Sequence, residues 1–132
     1  MGKSMKNENE AIMRDEELRW LLNAIQEVAK TGIRPDGLYW RASYTPEDAA
    51  AVALLKSYMK QAGMRVFFDA VGNLHGVLQG KSEQVIMAGS HRDTVRSGGK
   101  YDGMLGILSA ICSAGRLYQR LGQPEKTLEV VA

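Results

Sequence analysis

The sequence predicts an α/β domain built on a mixed sheet, and three observations lead there. Two segments carry apolar residues at helical spacing, three short strand-like runs follow them, and residues 84–132 then read strand, loop, helix, strand. That last order implies a right-handed crossover joining parallel neighbours in one sheet. In such sheets ligands bind beyond the carboxyl ends of the strands, which here is the polar loop 91–102.

The elements can be justified in turn. Residues 1–9 are polar and read as a loose, flexible tail. Leu18, Leu21, Leu22, Ile25 and Val28 form one helical stripe, and Gly32 is its stop. Residues 32–44 hold Pro35, Asp36-Gly37 and two aromatics, the composition of a structured loop. Thr45 suits the cap of a second helix, Pro46 its first position, and Glu47 and Asp48 the positive end of its dipole. Ala49, Val52, Leu55, Met59 and Ala62 give that helix a buried face, and Gly63 ends it. Strands are expected over 64–69, over 73–79 with Leu74, Gly76 and Leu78 on one face, and over 84–90. The run Val85-Ile86-Met87-Ala88 suits a strand covered on both sides. A third helix is expected over 104–121, with small residues that let it lie close to a sheet, and a last strand over 127–132.

Composition narrows the function. The 132 residues fit one small domain or a piece of a larger one. With 45% hydrophobic and 24% charged residues the chain is globular rather than disordered. A net charge of +2, from scattered basic residues, argues against a nucleic-acid partner. No segment resembles a signal peptide or reaches the length of a membrane span, so a cytoplasmic protein with no membrane partner is expected. The lone Cys112 lies on an apolar helix face and reads as buried filler.

Chemistry concentrates after the third strand. If the chain stays extended there, His91 and Asp93 point to one side and Arg92 to the other. His91 could then bind a metal through one ring nitrogen while a nearby carboxylate fixes its tautomer. Asp102 follows a loop containing Gly98-Gly99 and could bridge two metal ions, although an aspartate before a helix is most often only an N-cap. A histidine beside an arginine and an aspartate is equally compatible with a surface ion-pair network. Other motifs are weaker: Gly80-Lys81-Ser82 lacks the first glycine of a phosphate loop, and His75 reads as a packed strand histidine. Trp20, Trp40 and Tyr101 read as core or loop anchors.

The run Gly89-Ser90-His91-Arg92-Asp93-Thr94-Val95, followed by Gly98-Gly99-Lys100-Tyr101-Asp102-Gly103, resembles the metal-binding signature of the aminoacylase/carboxypeptidase superfamily of zinc hydrolases. Within it the chain is most similar to the branch of N-carbamoyl-L-amino-acid hydrolases, allantoate amidohydrolases and beta-ureidopropionases. Residues 44–48, 69–74 and 128–132 agree with that branch, so the likeness covers about 17–132.

The resemblance implies the N-terminal part of a three-layer α/β/α zinc-exopeptidase-like catalytic domain, without the lid or dimerisation domain. It implies two divalent ions, Zn²⁺ or Mn²⁺, with His91 a ligand of one, Asp102 bridging both, and Asp93 the catalytic-site residue that orients His91. The substrate it implies is a small amide or ureido compound, hydrolysed with a glutamate as general base. Arg92 departs from the family, whose residue there is usually apolar. The paired glutamates and two later histidines of the family would fall beyond Ala132, so the chain alone is expected to be inactive and to self-associate or form a homodimer. The alternative expectation is a non-catalytic interaction module that keeps the first half of the fold. A doubly wound binding domain whose acidic loop holds no metal is a more distant one.

Overall fold

The computed structural model describes residues 2–132. Helix α1 spans Gly2–Ala29 and runs into a 3₁₀ turn at Lys30–Gly32; α2 spans Pro46–Gln61 and α3 spans Met104–Leu121. The strands are β1 (Arg65–Phe68), β2 (Leu74–Leu78), β3 (Val85–Gly89) and β4 (Thr127–Val131). They form one mixed sheet in the order β1-β2-β4-β3. β1, β2 and β4 pair antiparallel, whereas β3 and β4, joined through α3, are parallel neighbours. This is the mixed α/β sheet, with its crossover, that the sequence predicts.

Local chemistry places the helices. Thr45 has an extended backbone, and its hydroxyl accepts from the Asp48 amide at 3.3 Å, so α2 starts where the cap and Pro46 put it. α3 ends at Gly122, whose φ of 73° suits glycine. Gly32 is needed for a different reason: a Cβ there would lie 2.7 Å from the Tyr39 ring, which packs over the turn.

The helices cover one face of the sheet. Leu74, Leu78 and Val130 are buried with Leu55 and Met59 of α2, Ile107, Leu108 and Ile111 of α3, and Ile25 and Val28 of α1. Glycines set the spacing. A Cβ on Gly76 would meet the Met64 and Met59 sulfurs at 2.7 and 2.8 Å, and one on Gly115 would meet Ala62 Cβ at 2.9 Å. The small residues expected in α3 therefore bring it against α2 as well as the sheet.

Three expectations need correction. The polar segment 1–9, expected as a tail, is helical from Gly2, as the first part of α1 with no proline to interrupt it. The stripe on α1 is rotated: Ala24, Ile25 and Val28 are buried, but Leu18 and Leu22 are about half exposed, because α1 lies against α3 rather than over the sheet. β3 is the third. Val85, Ile86 and Met87 are 50–60% exposed, not covered on both sides. The strand has a neighbour on one edge only, and since consecutive residues on alternating faces are all exposed, the helices leave it uncovered along both faces.

Candidate metal centre

The strand ladder ends at Ser90, whose amide still donates to Val131 O at 3.2 Å. Beyond it the chain stays extended, and His91 and Asp93 emerge on one side at the carboxyl ends of β3 and β4. They border an open cleft of about 340 Å³ that also takes in Tyr44, Asn73 and Ala132. Arg92, which also lines the cleft, buries most of its side chain against Asp48.

Three predicted residues meet here. His91 Nδ1 lies 3.2 Å from Asp93 Oδ1 and 3.0 Å from the Asp93 carbonyl oxygen. Its other ring nitrogen, Nε2, lies 3.5 Å from Asp102 Oδ2. A Nδ1–H directed at Asp93 leaves the Nε2 lone pair facing Asp102. Asp102 does not cap α3: the cap position is Gly103, with no side-chain hydrogen bond, and the Asp102 side chain is 82% exposed. The N-cap reading of Asp102 therefore falls. Gly103 has φ 72° and ψ −55°, and a Cβ on it would stand 2.6 Å from His91 Cε1. Only glycine lets Asp102 approach the ring.

The donors suit a divalent ion. Two ligands about 2.1 Å from a tetrahedral metal stand roughly 3.4 Å apart, and Nε2 and Oδ2 are 3.5 Å apart. A neutral imidazole and a carboxylate serve Zn²⁺ and Mn²⁺ alike. Among the described residues no group of three or more His, Cys, Asp or Glu stands ready around one point, so the chain presents two donors.

Sequence reasoning missed what holds this segment. Asp48 looked like a dipole residue, yet its carboxylate is buried and pairs with Arg92. Arg41 drew no notice, yet it is 1% exposed and donates through Nε to Arg92 O at 2.8 Å. A charged residue at the inward position of an alternating segment was the available signal.

The remaining motifs serve structure. The Lys81 amide donates to Pro124 O, so the turn at 80–82 has no free cradle for phosphate. Trp20 packs edge-on against Tyr58, and Trp40 lies between Arg34 and Arg96. Cys112 is half buried, and burial, aided by Glu17, pushes its thiol up. On the open sheet face His75 stacks on Phe67 and binds Glu129 at 2.6 Å and Asp69 at 3.4 Å. Burial alone would lower the His75 value, but the two carboxylates outweigh it and raise it. No helix among the described residues is long and apolar enough to cross a membrane.

Comparison with known proteins gives the context. No family model matches the chain. It is 42% identical over 110 residues to an allantoate amidohydrolase of Bacillus subtilis, covering 82% of this chain and 27% of that protein. It is 40% identical over 93 residues to an N-carbamoyl-L-amino acid amidohydrolase of Geobacillus stearothermophilus, covering 69% of this chain and 23% of that one. The fold superposes on a hydantoinase/carbamoylase family amidase from Burkholderia ambifaria with a TM-score of 0.80 at 31% identity, over 86% of this chain and 28% of the other. The chain thus spans about a quarter of the length of the relatives it matches.

Proposed function

This chain is a homologue of the hydantoinase/carbamoylase amidases across about a quarter of their length, and on that premise we propose that it carries the opening donors of their hydrolytic site. The reaction is hydrolysis of a non-peptide C–N bond, as in N-carbamoyl-L-amino acids or allantoate. The observation that carries this reading is the 3.5 Å separation of His91 Nε2 and Asp102 Oδ2, with Nδ1 turned to Asp93.

Each residue then has a role. His91 and Asp102 would hold a divalent ion through Nε2 and the exposed carboxylate, and Asp93 holds the imidazole in the tautomer that keeps Nε2 free. Bound there, Zn²⁺ or Mn²⁺ would polarise the scissile carbonyl and lower the pKa of water. A catalytic zinc site usually has three protein ligands and an open position. With two donors the isolated chain binds metal weakly and turns over nothing.

The test is metal retention after equilibrium dialysis against Zn²⁺ or Mn²⁺, for the full chain and its His91→Ala and Asp102→Ala variants. Retention by the chain, reduced at least about tenfold in each variant, supports the proposal; equal retention in all three sinks it. Assays with N-carbamoyl amino acids and allantoate should stay at the blank rate. A second reading, a non-catalytic interaction module, is favoured by the open edge and exposed apolar residues of β3. It gains if the chain retains no metal and binds a partner through that strand.

A further inference from the structure

Residues 91–94 carry the chemistry but lie outside every strand and helix. Something other than a ladder must fix them. Two arginines do so. Arg92 reaches inward with its side chain 13% exposed, to an Asp48 carboxylate 5% exposed, through Nε–Oδ1 at 2.8 Å and Nη2–Oδ2 at 3.4 Å. Its Nη1 donates to Ala132 O at 2.9 Å, just past the end of β4. Asp48 is itself held, since its Oδ2 accepts from Tyr44 N at 3.0 Å and its amide is capped by Thr45. Arg41 secures the main chain: its Nε donates to Arg92 O, its amide to Thr94 Oγ1 at 2.9 Å, and its carbonyl accepts from Thr94 N at 2.8 Å.

We propose that Arg92, locked to Asp48 and Ala132, is a positioning residue that aims His91 and Asp93 outward. This rests on the metal-site reading and deepens it. In an extended segment neighbouring side chains point to opposite faces, so anchoring the middle residue fixes the two beside it. The fork geometry of a guanidinium on a carboxylate defines direction as well as distance, which an apolar residue in the same place does not. A buried ion pair contributes little net stability against an apolar replacement, so its value here is geometric.

The test uses the full chain with Asp48→Asn/Arg92→Met, which removes both charges and leaves an amide oxygen for Tyr44 N. Arg92→Lys is the conservative partner, able to keep the ion pair. The first readout needs no metal: backbone order parameters from ¹⁵N relaxation. In the parent, His91 and Asp93 should lie at about 0.85; in the double variant they should fall below about 0.6 while Thr94, still held by Arg41, and α3 and β4 keep their values, and Arg92→Lys should recover part of the loss. The second readout is Co²⁺ affinity, expected to fall about tenfold or more in the double variant. Unchanged order at His91 and Asp93, or a loss spread evenly over the chain, overturns the proposal. If the parent binds no Co²⁺, the metal-site reading fails, and the order parameters still decide the positioning role.

Discussion

Replacing Gly103 with alanine perturbs the candidate site through one methyl group. The added Cβ would run into the His91 carbonyl oxygen and stand 2.6 Å from His91 Cε1 and 2.7 Å from Nδ1. Ordinary contacts between such atoms begin near ~3.5 Å, so ring and helix start must part by close to 1 Å. Ligand distances hold to about 0.2 Å, and the His91 Nε2–Asp102 Oδ2 separation of 3.5 Å opens well past that tolerance. We expect Co²⁺ affinity to fall by about 10- to 100-fold. The backbone adds its own cost, because φ 72° with ψ −55° is strained for any residue with a Cβ, by about 1–3 kcal/mol. At roughly 3–4 °C per kcal/mol for a chain of this size, the thermal midpoint should drop by about 3–12 °C. Calorimetric titration and thermal denaturation followed by circular dichroism read the two effects. A Gly103→Ala chain that binds Co²⁺ like the parent and melts with it would refute the geometry.

Two further outcomes follow from the open sheet face. His75, on which Phe67 stacks with Arg65 beyond it, is held between Glu129 and Asp69, and its folded value lies above the unfolded one of 6.5. The stabilisation is therefore complete below about pH 6.5 and is lost as pH rises through the raised value. Asp69 works on the other limb: burial would raise it, but hydrogen bonds from Asn73, Val71 and His75 hold it at about 2, so its contribution is lost only as pH falls towards that value. Thermal midpoints should fall on the alkaline side, and His75→Gln should flatten that slope; identical profiles would exclude the pair as its source. Secondly, the bare edge of β3, with Met87 60% exposed, should make the chain self-associate, and Met87→Lys should reduce this. Sedimentation velocity decides, and a single monomer boundary for the parent at roughly 100 μM would count against it.

Legibility in the sequence followed the range of each signal. α2 starts and α3 stops where local chemistry says, at Thr45-Pro46 and Gly122, because caps and glycines act within one turn. The faces of β2 were readable from alternation alone. Burial was not, since it depends on what packs above: Leu18 and Leu22 sit on the right element but the wrong face, and β3 lacks the cover its composition suggests. The centre divides the same way. His91, Asp93 and Asp102 are near in sequence; their spacing made them candidates, and the resemblance to zinc hydrolases gave them roles. Arg92 finds Asp48 44 residues away, and Arg41 reaches it across 51; no periodicity reports such a pairing.

The glycine-rich stretch between the donors has its own consequence. His91 is fixed by β3 and the arginine anchors, and Asp102 by the start of α3, so residues 95–101 join two points already set. That stretch turns back on itself, with Ser97 at φ 56° and the Gly98 amide donating to Val95 O and Tyr39 O. Apart from the Gly98–Tyr39 bond, its conformation is not what brings the donors together. Room for change there is uneven: an added Cβ meets nothing within 4 Å at Gly99, whereas at Gly98 it would stand 2.8 Å from Val95 O. Variation within the stretch is therefore expected at Gly99 and not at Gly98, with the donor pair kept in place by the elements on either side.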